Sequence, residues 1–340
     1  MSGKGQDRST RRLEVSTPAI EAAAAVLADG GLVAFPTETV YGLGGDACSA
    51  TAVAAIFAAK DRPAFNPLIS HVESTKSAFA LGVATPQARA LADRFWPGPL
   101  TLILTRQPDC PIARLTSAGL DRIALRVPAH PAARELLARF GGPVAAPSAN
   151  PSGRISPTRA DHVMAGLAGR VDLILDGGRC DSGVESTVID CSGDRAVILR
   201  PGGVTRDDVA ACLAGSGLAG SGLAELGPEP ASANPDAERP ASPGMLASHY
   251  APRAALEMDV TDASPGMELI GFGNIEGAGA AGLNLSPDGD LAEAAANLFD
   301  MLHLADAGGS AVIGVAPIPT HGLGEAINDR LRRATTPRDL

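Results

Sequence analysis

Four clusters of polar residues carry residue types and spacings that suit ligand chemistry. The first is FPTETVYGLGGD at positions 35–46, where two threonines and a glutamate precede Gly42, Gly44 and Gly45. Glycines of this kind let backbone N–H groups approach a polar ligand closely. The stretch is therefore a candidate binding loop, and a tight turn between a strand and a helix is the alternative interpretation.

The second cluster is KDRPAFNPLISH at positions 60–71. Lys60 and Arg62 end a predicted helix, and Asn66 and His71 lie at opposite ends of the next predicted strand. Cations on a loop beside a strand suit phosphate recognition. Both cations could instead cap the last helical carbonyls or form a solvated basic turn.

The third cluster is the predicted strand RIALRVP at positions 122–128. Alternation along a strand places Arg122 and Arg126 on one face, between apolar residues of the other face. Leaving a buried arginine without its partner costs roughly 3–5 kcal/mol, so an anion must meet Arg126. That anion is either a protein carboxylate or a ligand, and the carboxylate of an amino acid fits a planar guanidinium.

The fourth cluster consists of hydroxyl-rich segments after predicted strands, at positions 146–158, 186–190 and 199–203. Serine-rich loops also serve as turns and helix caps, but their recurrence at similar positions in the topology favours a shared site. The candidate side chains are Ser148, Asn150, Ser152, Ser156, Ser186 and Arg200.

Several familiar catalytic motifs are missing from the sequence. It contains no GxxxxGK[ST], HExxH or GxSxG segment. A GxGxxG match at Gly215, Gly217 and Gly220 arises from a repeated AGSGL unit, and it neither follows a strand nor opens a helix, so we reject it. The remaining cations, hydroxyls and backbone amides suit a reaction in which the substrates supply the reactive groups, and nucleotidyl transfer is the prime candidate.

These clusters need a scaffold, and the pattern of elements predicts one. Ser16 and Ser49 are expected to cap helices, and short apolar strands alternate with helices between positions 10 and 210. A Gly/Pro-rich linker follows at 211–250, and strand and helix patterns return at 251–340. We predict an α/β domain, a linker and a second, smaller α/β domain.

Composition narrows the class of protein. The chain has 340 residues, of which 45% are hydrophobic, and a formal net charge of −10. A protein that binds nucleic acid by itself usually carries a basic surface, and this net negative charge argues against that class. No apolar run spans a membrane and no secretion signal is visible, while five cysteines without CxxC spacing argue against a disulfide framework or a zinc site. A reducing cytoplasm is the expected location.

Taken together, the motifs resemble the threonylcarbamoyl-AMP synthase family in its long form. PTETVYGLG, KDRPAFNPL, LRVP, PSANPSGRISPT, STVID and LRPG occur in that family's order, and SPGMLASHYAP and GLGEAINDRLRRA match the linker end and second domain. The resemblance implies a YrdC-like domain, a twisted mixed α/β sheet with a concave open face, followed by a small Rossmann-like domain.

The resemblance also implies an activity. Members of the family are nucleotidyltransferases that condense L-threonine, bicarbonate or CO₂, and ATP into L-threonylcarbamoyladenylate and pyrophosphate. Mg²⁺ is expected to accompany ATP, and no metal ligands on the protein are predicted. A separate transferase complex then passes the group to the tRNA adenosine next to the anticodon, and direct tRNA binding by this chain is not expected.

Site residues carry over from the family by motif. L-Threonine is expected to contact Thr39, His71, Arg126, Ala146 through its backbone, and Ser186. ATP is expected to contact Arg62, Asn66, Arg122 through its backbone, Ser148, Ser156, Arg200 and Tyr250. Lys60 and Arg62 are expected to stabilise charge during the reaction. His249 and Tyr250 are expected to form a lid over ATP, and a passive tether is the alternative for this segment.

Three competing functions remain at this stage. An RNA-binding module is opposed by the acidic charge balance. A carbamoyl-transfer enzyme of the hydrogenase-maturation type would carry zinc-finger cysteine pairs and an acylphosphatase domain, which the sequence lacks. An inactive paralogue is disfavoured by the completeness of the motifs.

Overall fold

The computed structural model describes residues 9–218, 249–274 and 282–336. Within these ranges the chain forms a ten-stranded mixed sheet and a separate three-stranded parallel sheet, each packed against helices. The predicted fold class is confirmed. Most of the predicted 211–250 linker lies outside the described residues, so the predicted domain bounds of 10–210, 211–250 and 251–340 stay a prediction.

The thirteen strands of the described ranges are β1 Arg11–Glu14, β2 Val33–Phe35, β3 Gly42–Asp46, β4 Ile69–His71, β5 Leu100–Thr105, β6 Arg122–Arg126, β7 Val144–Ala145, β8 Leu173–Asp176, β9 Thr187–Asp190, β10 Val197–Arg200, β11 Ala255–Glu257, β12 Met267–Ile270 and β13 Val312–Val315. The helices there are α1 Thr17–Ala28, α2 Ala50–Lys60, α3 Thr75–Leu81, α4 Pro86–Phe95, α5 Pro131–Phe140, α6 Ala160–Leu167, α7 Arg206–Gly215, α8 Leu291–Ala307 and α9 Leu323–Thr335. Strands β1, β3 and β11 and helix α3 were not predicted.

Helices begin where short polar side chains can accept from the first free N–H groups. The side chain of Ser16 accepts from Ala19 N at 3.4 Å, and that of Ser49 accepts from Ala52 N at 3.2 Å. Both predicted caps are therefore confirmed. Gly215 is the last residue of α7 and does not open a helix, which agrees with our rejection of the GxGxxG match.

The large sheet has the strand order β1-β8-β2-β3-β7-β4-β6-β5-β9-β10. Strands β4 and β6 are parallel, and their register places His71 opposite Arg126. Strand β9 runs parallel to β5 and antiparallel to β10, which brings the segments around Ser186 and Arg200 together. The topology thus gathers four distant motifs on one face of the sheet.

The glycines of the opening stretch differ from the prediction, because Gly42–Asp46 is strand β3 and not a loop. A Cβ atom at Gly44 would lie 2.8 Å from the Phe35 ring and 2.9 Å from Val144 Cγ1. Glycine is therefore required there by close packing between neighbouring strands, rather than by freedom to bind a ligand. The candidate binding loop is therefore the shorter stretch before β3.

The second sheet, in the order β11-β13-β12, carries α8 and α9 and packs against the first domain. Arg159 donates to both carboxylate oxygens of Asp300 at 2.8 and 3.0 Å. Gly183 has φ +67 and lies against α8, where a Cβ atom would overlap the carbonyl oxygens of Ala295 and Ala296. Among the described residues, no helix is both long enough and apolar enough to cross a bilayer.

Candidate active site

A cavity of about 50 Å³ lies on the face of the large sheet, between that sheet and the residues at the start of the second domain. Alternate residues of β4, Ile69 and His71, both face it. Ten of the predicted site residues line this one cavity. They are Thr39, Arg62, His71, Arg126, Ala146, Ser148, Ser186, Arg200, His249 and Tyr250.

Arg126 is the centre of one half of the cavity, and it is only 4% exposed. Its guanidinium donates to Glu38 Oε1 at 2.7 Å, to Thr39 Oγ1 at 2.9 Å and to Gly98 O at 3.3 Å. The predicted anion that meets Arg126 is thus a protein carboxylate. Since a guanidinium has five N–H donors and these bonds use three, two donors remain for a second anion.

Glu38 is held as an anion by this pair. Burial alone would raise the pKa of Glu38, but the attraction of Arg126 and the hydrogen bonds to the carboxylate outweigh it and lower the pKa below its ordinary value. Ala129 N donates to the other carboxylate oxygen at 3.1 Å. The sequence clusters included Glu38 without assigning it a role, and the need for a partner to Arg126 was the signal that could have identified it.

His71 lies beside this pair and is held neutral. Burial, reinforced by the positive charge of Arg126, lowers the pKa of His71 to about 3. Its Nδ1 is buried and has no hydrogen-bond partner among the described residues. The ring edge packs against Phe35, with centroids 6.2 Å apart. A neutral imidazole with an unused nitrogen at a cavity wall is suited to bind a polar ligand.

Acidification is expected to destabilise the protein through His71. The ordinary pKa of 6.5 applies to the unfolded chain and the folded value is about 3, so between these values only the unfolded state binds the proton. The free energy of unfolding should fall by about 2 kcal/mol from this group alone between pH 8 and pH 5. Chemical denaturation at the two pH values measures the change.

Two histidine variants isolate that contribution. His71→Gln should remove this part of the pH dependence, because the titrating group is gone. His321→Gln changes an exposed residue just before α9 and should keep the full dependence. A pH dependence that is the same in wild type and His71→Gln would contradict the prediction.

The other half of the cavity contains Arg62 and Arg200. Arg62 donates to Asn66 O at 3.4 Å and Pro67 O at 3.1 Å, and it has no carboxylate partner among the described residues. Burial, together with the nearby charge of Arg200, lowers the pKa of Arg62 to about 10. Arg200 donates to Ser186 O at 2.8 Å and Ser186 Oγ at 3.2 Å. Burial, together with the charge of Arg330, also lowers the pKa of Arg200. Two buried guanidinium groups at one cavity form a site for an anion.

Four of the residues carried over from the family, and the further candidates Asn150 and Ser152, do not line the cavity. The Lys60 ammonium group donates to the carbonyls of Ser148 and Asn150 and fixes the loop that carries Ser148. Ser156 Oγ donates to Glu185 Oε1 at 2.6 Å. Arg122 is at the far end of β6, in an ion pair with Asp190.

Asn66 is the fourth of these residues, and it is fully buried. Neither its amide nitrogen nor its side-chain oxygen has a hydrogen-bond partner among the described residues. Its backbone oxygen accepts from Arg62, so it lies directly behind that cation. A small rearrangement would be needed to bring its amide to a ligand.

His249 and Tyr250 form one end of the cavity. Their rings are 4.0 Å apart between centroids, and Tyr250 also stacks on Phe299 of α8 at 5.6 Å. Tyr250 has φ +64, a left-handed conformation that is uncommon for a bulky residue. Ala251 N donates to Gly153 O at 2.9 Å, which ties this segment to the loop after β7.

The sequence clusters also missed two charged residues near this end. Glu185 precedes the predicted Ser186 and lines the cavity. Arg330 of α9 is completely buried and donates to Glu185 Oε2 at 2.8 Å. Arg330 belongs to the motif GLGEAINDRLRRA, but its position on a helix of the other domain gave no sign that it reaches this site.

Comparison with known proteins covers both domains. Residues 25–202 match the family model described as "Telomere recombination", and residues 204–336 match the model described as "Threonylcarbamoyl-AMP synthase, C-terminal domain". The chain is 40% identical to threonylcarbamoyl-AMP synthase of Bacillus subtilis (strain 168) over 343 residues, which cover 96% of this chain and 95% of the relative.

A second relative and its solved structure agree with this finding. The chain is 40% identical over 333 residues to threonylcarbamoyl-AMP synthase of Pyrococcus abyssi, covering 93% of this chain and 94% of the relative. The crystal structure of P. abyssi Sua5 complexed with L-threonine has a TM-score of 0.83 to this fold at 36% identity, and the match covers 96% and 97% of the two chains. With both domains matched and the relatives covered almost end to end, the chain belongs to the threonylcarbamoyl-AMP synthase family.

Proposed function

We propose that this protein is an L-threonylcarbamoyladenylate synthase, a nucleotidyltransferase that joins L-threonine, bicarbonate or CO₂, and AMP from ATP, with release of pyrophosphate. The observation that carries the proposal is a single cavity in which Arg126, Arg62 and Arg200 meet, although they are far apart in the chain. Its relatives bear the name of this activity, and the P. abyssi structure contains L-threonine.

L-Threonine would occupy the half of the cavity around Arg126. The two remaining guanidinium donors of Arg126 would bind its carboxylate, while Glu38 and Thr39 keep the guanidinium fixed. Neutral His71 offers an unused ring nitrogen to the ammonium or hydroxyl group. Ala146 and Ser186 would complete this subsite, so that the substrate amine is oriented before reaction.

The nucleotide would occupy the half around Arg62 and Arg200. In the proposed reaction the threonine amine attacks CO₂ to give a carbamate, and a carbamate oxygen attacks the α-phosphorus as pyrophosphate departs. Arg62 and Arg200 would stabilise the charge on the phosphates, and Ser148 would position the nucleotide. Lys60 would act by holding the Ser148 loop. Asn66, Arg122 and Ser156 do not line the cavity, and they are proposed only as more distant contacts of the nucleotide.

Mg²⁺ is proposed to arrive on the triphosphate of ATP. Among the described residues, no group of three or more His, Cys, Asp and Glu could hold a metal ion. Both oxygens of Glu185, a carboxylate at the cavity wall, are engaged by Ser156 and Arg330. Phosphate oxygens supply suitable ligands, and the bound metal neutralises charge on the phosphates.

His249 and Tyr250 are proposed to act as the lid. The cavity of about 50 Å³ is far below the roughly 300–1,000 Å³ of sites for small molecules, so the present arrangement does not admit ATP. Movement of this segment away from Arg62 would open the nucleotide subsite. Its return would shield the carbamate and the mixed anhydride from water.

The proposal extends to the setting of the reaction. A separate transferase complex would carry the threonylcarbamoyl group to tRNA. The location is proposed to be a reducing cytoplasm, which suits five cysteines that are all free thiols. The mixed anhydride is open to hydrolysis in water, so prompt hand-over to the transferase would limit its loss.

The test is detection of the adenylate with each substrate withheld in turn. Purified protein with ATP, Mg²⁺, L-threonine and bicarbonate should give the mass of threonylcarbamoyl-AMP and release pyrophosphate. Omission of any one substrate should abolish both signals. Pyrophosphate release that is independent of threonine or bicarbonate would overturn the proposal.

A further inference from the structure

Arg330 is the largest fully buried side chain among the described residues, and two of its hydrogen-bond partners belong to the first domain. It is 0% exposed. Its guanidinium donates to Glu185 Oε2 at 2.8 Å, to Pro201 O at 2.9 Å and to its neighbour Asp329 at 2.6 Å. The guanidinium carbon also lies 5.3 Å from the centroid of the Tyr250 ring.

Glu185 is the reason why this position requires a cation. Its carboxylate lines the cavity, next to Ser186 in sequence, and it accepts from Ser156 Oγ at 2.6 Å and from Arg330. Burial alone would raise its pKa, but the attraction of Arg330 and Arg200 lowers it, so the group is an anion. An anion in the wall of a cavity that takes a triphosphate opposes ligand binding unless a cation compensates it.

Arg330 contacts the lid residue Tyr250 as well as the carboxylate of Glu185. The Arg330 guanidinium faces the Tyr250 ring, a geometry in which a cation is attracted to the aromatic face. One turn of α9 further on, Arg333 O accepts from His249 N at 3.1 Å. Helix α9 therefore contacts the lid residues and the wall of the cavity at the same time.

We infer that Arg330 is a positioning residue through which the second domain completes the active site, by neutralising Glu185 and holding Tyr250 over the nucleotide subsite. This inference rests on the proposed function, and it gives the second domain a role at the site itself. An arginine that only attached the two domains would need neither a carboxylate in the cavity wall nor the ring of the lid tyrosine.

Removal of the charge tests the inference. Arg330→Met keeps the bulk of the side chain and removes the only cation that is hydrogen-bonded to Glu185 among the described residues, leaving this anion with the attraction of Arg200 alone. We therefore expect KM for ATP to rise about 10- to 100-fold, because a buried like charge would face the phosphates. KM for L-threonine should change far less, because that subsite is compensated by Arg126. Arg332→Met, at an exposed position on the same helix, is the matched control and should behave as wild type.

A second substitution separates this role from a structural one. Glu185→Gln combined with Arg330→Met removes both charges of this pair, while Asp329 keeps its ion pair with Arg333. The double variant should restore KM for ATP to within about threefold of wild type, because a neutral pair replaces an unpaired charge in the cavity wall. Restored affinity in the double variant would also show that the loss in the single variant is due to its unpaired charge and not to the missing arginine contacts. Melting temperatures of all variants are measured in parallel.

Two outcomes would overturn the inference: an unchanged KM for ATP in Arg330→Met, or losses that simply add in the double variant. Calorimetric titration of wild type and variants with ATP and Mg²⁺ distinguishes this failure from failure of the proposed function. If wild type binds ATP and makes no adenylate, the proposed function fails. If wild type makes the adenylate and the variants bind ATP as wild type does, only the role of Arg330 fails.

Discussion

Replacing Arg126 with methionine is expected to lower kcat/KM for L-threonine by about 10²–10³, the usual cost of removing one preorganised charged donor. The substrate carboxylate would lose its guanidinium, and Glu38 would remain as a buried anion that repels it. Breaking a buried pair in this way costs roughly 3–5 kcal/mol. Pyrophosphate release as a function of threonine concentration measures the effect.

The same strand offers a matched control. Arg122 is four residues away on β6, and its side chain is 36% exposed in an ion pair with Asp190. Pairs of this kind contribute about 0–1 kcal/mol, so Arg122→Met should change kcat/KM by less than about fivefold. The double variant Glu38→Gln/Arg126→Met leaves no unpaired buried charge, so it should fold even if Arg126→Met is destabilised. If the double variant also loses threonine-dependent activity, that loss is not due to misfolding. Equal effects at Arg122 and Arg126 would contradict the assignment of the threonine subsite.

The second large effect is expected at Lys60. Lys60→Met should lower the free energy of unfolding by about 1–3 kcal/mol, because the buried carbonyl of Asn150 would lose its donor. Ser148 O would keep its hydrogen bond from Asn150 N. The lysine is only 1% exposed, and it joins the end of α2 to the carbonyls of Ser148 and Asn150. Urea denaturation monitored by circular dichroism measures the loss.

Lys60→Met should also reduce turnover, since Ser148 would lose its fixed position beside the nucleotide subsite. Lys76→Met, at an exposed position in α3, is the control and should leave both properties unchanged. Full stability of Lys60→Met together with a loss of activity would show that the ammonium acts directly on the phosphates instead. That result would restore the first prediction for this residue.

The sequence was sufficient to find most of the residues that meet in the cavity. Alternation along RIALRVP placed Arg126 on a buried face, and the cost of an unpaired charge required an anion there. Glu38 is that anion, 88 residues earlier in the chain. The alternation of residues along the strand and the cost of burying a charge are local properties, so they predicted that Arg126 is buried and needs a partner. Which residue is the partner depends on the order of the strands, which these local properties do not determine.

Other features depended on tertiary packing and could not be predicted. The glycines of β3 resembled those of a binding loop, whereas Gly44 is required because Phe35 and Val144 leave no room for a side chain. Lys60 resembled a phosphate ligand, and the structure pairs it with two carbonyls. In each case the residue type was informative, but its partners come from strands or loops that are distant in sequence.

The backbone of Tyr250 has a consequence for the energetics of catalysis. Its φ of +64 costs about 1–3 kcal/mol, and this conformation is maintained by the contacts with Phe299 and Arg330. In the proposed lid movement, release of this torsional strain would offset part of the contact energy that holds the segment closed. A free-energy difference reduced in this way would be easier to reverse by the binding of one nucleotide or by its conversion to product.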